Sequence, residues 1–128
     1  MLVGKGDAYS TGGAEEFLKE ASSRNIDVCT RAEYVHLSQD MSAAMKKIID
    51  NRCCTVTVVF GQRTDLAPLF VEAYHQNYAG EWFVGDAVVG VIDILMQDMQ
   101  SISRRKGRGM SHSQVQEALR GMFTCDGG

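Results

Sequence analysis

Between Cys54 and Tyr78 the hydrophobic period of the chain changes from strand to helix. CTVTVVFGQRTDLAPLFVEAYHQNY opens with Val56, Val58, Val59 and Phe60, and Thr55 and Thr57 add further β-branched side chains. Such a run of adjacent apolar residues is the signature of a strand buried on both faces of a parallel sheet. Gly61 stops it and QRTD makes a polar turn. Leu66, Leu69, Phe70, Ala73 and Tyr74 then recur at helical spacing. Thr64 or Asp65 is the expected cap, and with Asp65 in that place Pro68 falls in the first turn, where its missing N–H is tolerated. A strand feeding a helix through a short loop predicts an α/β unit. Its loop lies at the carboxyl end of the strand, where open α/β sheets bind ligands.

The same alternation runs from residue 14 to residue 84. Ala14 to Ala21 predicts a helix, with Phe17, Leu18 and Ala21 on one side and Ser10 or Thr11 as its cap. Ile26 to Cys29 predicts a short strand, and Thr30 to Leu37 a polar loop. Met41, Ala44, Met45, Ile48 and Ile49 share a helical face, capped by Ser38 or Asp40. Glu81 to Val84 predicts another strand, carrying Trp82 and Phe83. Helices alternating with short apolar strands imply βαβ units. The expected fold is therefore α/β: a three-layer sandwich whose mostly parallel sheet is built on Ile26–Cys29, Val56–Phe60 and Trp82–Val84. Before residue 14 only Leu2 and Val3 hint at a strand. Beyond residue 84, VVGVIDILMQDM fits strand or helix, and SRRKGRG predicts an exposed basic loop. Ser113 with Gln116 resembles a capping box ahead of a short helix through Val115, Ala118, Leu119 and Met122; the CDGG tail carries no signal. The expected division is 1–100, a basic loop at 101–110, and a short helix and tail at 111–128.

Composition narrows the function. The 128 residues are 45% hydrophobic, enough for one domain's core, and the net charge of -3 disfavours nucleic acid as a partner. No apolar run reaches the roughly 20 residues of a membrane helix. Met1 leads into LVGKGDAYSTGG, which lacks a signal-peptide core. Cys29, Cys53, Cys54 and Cys125 form no CxxC pair, so no metal site is expected, and the cysteines read as buried free thiols. The glycines at 4, 6, 12 and 13 fit neither the Walker string nor GxGxxG, and no GxSxG elbow occurs. No cofactor and no enzymatic activity are expected. His36, His75 and His112 are scattered over three elements. Asp86 directly follows an apolar strand, so it belongs at the carboxyl edge of the sheet, either facing a cation or capping a turn.

Two segments carry a resemblance. DAYSTGGAEEFLKEASSRNIDVC places a polar residue, an aromatic and glycines before a helix, and then runs on to a cysteine. CTVTVVFGQRTDLAPLFVEAYHQNYAGEWFVGDAV follows with a valine-rich strand, a polar loop, a helix, a glycine turn and an aromatic strand ending in aspartate. Over roughly residues 6 to 88 the chain resembles the second lobe of the receptor family ligand-binding region, of the periplasmic-binding-protein-like type I fold. The extracellular domains of class C G-protein-coupled receptors are the nearest branch.

This resemblance implies a ligand-binding lobe for a small molecule, an amino acid or a derivative, truncated and incomplete without a first lobe, with homodimerisation as an associated property. It implies an extracellular or periplasmic setting in the full-length protein. It also implies that Tyr9 closes on the ligand and that Asp86 takes its α-ammonium, with Ser10, Thr11, Gln62, Arg63 and Thr64 as further loop contributors. Ser10 stands where the family has glycine after the aromatic, and Gly85 where it has serine before the aspartate. The competing expectations are a flavodoxin-like or Rossmann-like enzyme domain and an inactive degenerate fragment.

Overall fold

The computed structural model describes residues 1–51, 53, 55–84 and 90–124. Its strands are β1 (Leu2–Lys5), β2 (Ala32–Val35), β3 (Val56–Phe60), β4 (Glu81–Val84) and β5 (Met122–Thr124). Its helices are α1 (Ala8–Ser23), α2 (Ser42–Asp50), α3 (Arg63–His75), α4 (Ile92–Arg105) and α5 (His112–Ala118). The strands form one sheet in the order β2-β1-β3-β4-β5, and every neighbouring pair is parallel. The α/β reading holds, and β3 occupies the residues expected for the central strand.

Side chains alternate across the sheet. Leu2, Thr57, Val59, Trp82 and Val84 are buried on the face covered by α2, α3, α4 and α5. Val3 and Phe60 point to the other face, where they pack with Ala14, Phe17 and Leu18 of α1. The helices thus make outer layers on both sides of the sheet. On the α1 face, Val56 and Phe83 remain 45% and 43% exposed. The main core centres on α3, in which eight residues, Asp65 to Val71 and Ala73, are buried. Phe70 and Trp82 are at its heart, with ring centroids 5.0 Å apart and planes nearly perpendicular.

Several expectations are corrected. The second strand is Ala32–Val35, not Ile26–Cys29, so part of the supposed polar loop is strand. At the sheet edge only one face is covered, and Ala-Glu-Tyr-Val accordingly alternates buried and exposed. A search for a continuous apolar run passes over such a strand. Ile26 is 53% exposed, in the connection that brings the chain to Thr30. There the terminal ammonium of Met1 donates to the Thr30 carbonyl, and Ala32 N donates to Met1 O.

β1 is a full interior strand rather than the hint offered by Leu2 and Val3. α1 starts at Ala8, capped by Asp7 and not by Ser10 or Thr11. It tolerates two helical glycines in part because a Cβ on Gly13 would come within 2.9 Å of the Phe60 ring, so glycine is what lets the helix sit close to the sheet. Gln62, not Thr64 or Asp65, is the N-cap of α3, which puts Pro68 in the second turn. Met41 is the N-cap of α2, while Asp40 accepts from Ser42.

Only the second half of the 101–110 stretch, residues 106–110, is the expected basic loop. α4 continues to Arg105, because Leu95, Met99 and Ile102 keep one face buried while Arg104 and Arg105 lie in the last turn, where cations suit the helix dipole. Met110 returns to the core, its N–H donating to the buried Ser103 hydroxyl. The capping box is Ser111 with Gln114, two residues before the expected pair. Beyond α5 the chain adds β5, pairing Trp82 with Met122 in register. Cys29 and Cys53 are not buried thiols but an exposed disulfide. It ties the segment before β2 to the segment before β3. Cys54 and Cys125 lie outside the described residues.

Candidate functional site

From β1 the chain crosses through α1 to β2 on one flank, then returns through α2 to β3 on the other. Loops therefore diverge above the carboxyl ends of β1 and β3, which makes this the topological switch point. Three segments meet there: Gly6–Asp7 after β1, His36–Leu37 after β2, and Gly61–Gln62 after β3.

Asp7 ties the first and third segments together. Its Oδ2 accepts from Ser10 N at 3.2 Å and from Ser10 Oγ at 2.5 Å. Its Oδ1 accepts from Gln62 Nε2 at 3.3 Å. The Ser10 hydroxyl, then Gln62 and the backbone N–H groups, hold the Asp7 carboxyl below its ordinary value despite some opposing burial. Gln62 reaches across to Asp7 and makes no side-chain cap on its own helix.

Asp65 ties the second segment to α3. Its side chain is 1% exposed, yet both oxygens are engaged. Oδ2 lies 2.6 Å from His36 Nδ1, and Oδ1 accepts from Leu37 N at 2.9 Å. The hydrogen bond to Asp65 raises the His36 pKa above its ordinary value, against a smaller lowering by desolvation. A buried carboxylate is costly unless paired and hydrogen-bonded, and here it is both.

Both carboxylates act on Tyr34, which is 4% exposed. Its hydroxyl is buried without a hydrogen-bond partner among the described residues. Burial first, then the charges of Asp65 and Asp7, push its pKa up, so it stays a neutral phenol. A Cβ on Gly61 would fall 1.9 Å from that hydroxyl, so the absence of a side chain at the end of β3 makes room for Tyr34.

The residues nominated from sequence are distributed as follows. Tyr9 is 49% exposed in the first turn of α1, above this edge. Ser10 is fully buried and its hydroxyl is committed to Asp7, while Thr11 Oγ1 donates to the Asp7 carbonyl at 3.1 Å. Gln62, Arg63 and Thr64 border a depression of about 310 Å³ together with His36 and Leu37. Asp86 and Gly85 lie outside the described residues. The sequence reading missed Asp7, Tyr34 and the His36–Asp65 pair. Asp7 could have been found as the acidic cap directly ahead of the helix; His36 and Asp65 are 29 residues apart and carry no local signal.

Two larger depressions lie elsewhere. A groove of about 450 Å³ runs past Met1, Ile26, Val28, Cys53 and Val56 at the amino ends of the strands. Another of about 490 Å³ lies between the end of α3 and α5, beside Tyr74, Tyr78 and Arg120. The carboxyl edge is nonetheless the better candidate, because polar side chains from three loops converge there. Among the described residues no group of three or more His, Cys, Asp or Glu is placed to hold a metal ion, and no helix is long and apolar enough to cross a membrane.

No curated protein sequence matches the chain. The family pattern of the receptor family ligand binding region matches residues 1–125, from β1 through β5. The match thus extends past residue 88, taking in the α4–α5–β5 segment in which the resemblance could not be followed. It describes a ligand-binding rather than a catalytic domain. With an all-parallel α/β lobe and polar loops gathered at its switch point, this chain belongs to the receptor family as a ligand-binding domain of the periplasmic-binding-protein-like kind.

Proposed function

We propose that the carboxyl edge of this sheet forms one wall of a cleft that binds a small amino-acid-like molecule, completed by a facing lobe as in the class C receptors. The observation carrying the proposal is the convergence of Asp7, His36 and Gln62 from three loops at the switch point, with Tyr9 next to it in the first turn of α1. Family membership supports ligand binding; the amino-acid character rests on the match of Tyr9 and Asp86 to the family's ligand positions. In this reading Asp86 receives the α-ammonium and Tyr9 covers it with its ring. Asp7 and Ser10 do not touch the ligand but fix the turn that presents Tyr9. The Cys29–Cys53 disulfide supports an extracellular or periplasmic setting, where such bonds persist.

The test is a calorimetric titration of amino acids on the two-lobed protein, comparing the parent with Asp86→Asn. The substitution keeps the shape and removes the charge. Losing one partner of a buried charged pair costs about 2–5 kcal/mol, so affinity should fall roughly 30-fold or more. Tyr9→Phe should cost less, because the ring remains. Equal affinities for the parent and Asp86→Asn, with both folded by far-UV dichroism, would reject the amino-acid reading.

A further inference from the structure

The depression beside His36 is built for a charge opposite to the one Asp86 would receive. His36 Nδ1 is taken by the buried Asp65, so the ring is fixed and its Nε2 edge is the one left for another partner. Arg63 is the first residue of α3 and only partly buried. Among the described residues its guanidinium makes no ion pair. α3 is a helix of 13 residues whose N-cap side chain is turned away to Asp7, so its first N–H groups receive no side-chain acceptor from Gln62. Thr64, which is exposed, adds a hydroxyl on the same rim.

We propose that the depression bordered by His36, Gln62, Arg63 and Thr64 is an oxyanion subsite, which takes a carboxylate or phosphate group through the Nε2–H of the protonated His36 imidazole, the Arg63 guanidinium and the N–H groups of Arg63 and Thr64 at the start of α3. Guanidinium forks match such groups with paired hydrogen bonds, and a helix N-terminus adds favourable partial charge. The opposing charges are the two nearby carboxylates. Both oxygens of Asp65 are occupied by His36 and Leu37, and both oxygens of Asp7 by Ser10 and Gln62. Neither carboxylate lines the depression, and each is already held by those donors. Tyr34, from β2, stays neutral and contributes no charge. The subsite requires neither Asp86 nor an amino-acid ligand, so its success or failure is separate from that of the amino-acid reading.

The experiment follows the His36 imidazole by NMR in the 128-residue chain with isotope-labelled histidine. Inorganic phosphate and glutarate are titrated separately at constant ionic strength and at a pH near the His36 midpoint, up to about 20 mM, which reveals a Kd of about 1 mM. A saturable shift in either arm supports the subsite, and the arm that saturates at lower concentration identifies phosphate or carboxylate as the preferred source. Arg63→Gln should weaken that binding about tenfold, the usual effect of losing a hydrogen bond to a charged group, whereas Arg63→Lys should retain more of it. Linkage supplies a measurement that needs no variant: the titration midpoint of His36 must rise when the anion is present at saturation. Shifts that never saturate, an unchanged His36 midpoint, or equal affinity in a folded Arg63→Gln would each overturn the proposal.

Discussion

Gly61→Ala should destabilise the protein through one atom, and Tyr34→Phe should relieve it. An alanine Cβ at position 61 would fall 1.9 Å from Tyr34 Oη and 3.2 Å from Cζ. The hydroxyl cannot swing aside, because the ring is 4% exposed and packed in the main core. Either the ring or the end of β3 has to move, and overpacking of this kind costs about 1–3 kcal/mol. Removing the hydroxyl leaves the nearest contact at 3.2 Å, tight but accommodated by a small shift. In the Tyr34→Phe background most of the penalty should therefore vanish. Tyr34→Phe alone should be neutral or stabilising, since an unpartnered buried hydroxyl is a liability of about 1–3 kcal/mol that phenylalanine does not carry. Urea melts of the four proteins of this cycle, fitted with a common slope, give the coupling energy directly. Equal costs for Gly61→Ala in both backgrounds would show that Tyr34 is not the obstacle. A loss above about 1 kcal/mol on Tyr34→Phe would show that the hydroxyl makes a stabilising hydrogen bond.

Further expectations follow from the core, the disulfide and the His36–Asp65 contact. Phe70→Ala should cost about 3–5 kcal/mol in the same melts, because the ring is fully buried against Trp82; a loss below about 1 kcal/mol would remove it from the core. Replacing Cys29 and Cys53 together by serine should cost about 3 kcal/mol, from the loop closed by a sequence separation of 24, and unchanged thermal unfolding would show that the bond contributes nothing. The raised His36 pKa makes its contribution full below the unfolded value of 6.5, and that contribution is lost as pH rises through the folded value. Urea midpoints of the parent should therefore fall relative to those of His36→Gln as pH is raised from acid through neutrality, and parallel profiles would contradict the contact.

Legibility in the sequence followed burial. β3 lies in the sheet interior, and its apolar run marked its bounds to the residue. β2, at the edge, has one buried face, so its signal was the alternation of Ala32 and Tyr34 with Glu33 and Val35, too short to stand out. β1 also lies in the interior, but Gly4 and Lys5 dilute its four residues. β5 has only three, and on sequence it merges with the end of α5. Four helices were found by period, whereas the residues of α4 fitted strand or helix; the starts of those four were misplaced by a few residues because several hydroxyl or carboxyl residues compete for each cap. Asp7 caps α1 through Ser10 N and is also joined to Gln62 after β3, a tertiary contact that local sequence does not show.

The candidate site shows the same division more sharply. Sequence could nominate Tyr9, Gln62, Arg63 and Thr64 through the family resemblance, and three of these residues fall in the first turns of α1 and α3. It could not find the pairs that position the loops around them. His36 with Asp65, and Asp7 with Gln62, join segments distant in the chain, and each pair exists only once three parallel strands are in register. Asp65 read as a helix cap is an ordinary surface residue. Placed 1% exposed under the His36 ring and the Leu37 N–H, it becomes the anchor of a loop. Its removal should therefore act on the loop after β2 before it acts on the helix. In Asp65→Asn the uncharged amide loses the charge-assisted bond to the imidazole, so the His36 midpoint should fall toward its ordinary value while α3 stays intact. A histidine titration unchanged in that variant would mean that the loop is held by other contacts.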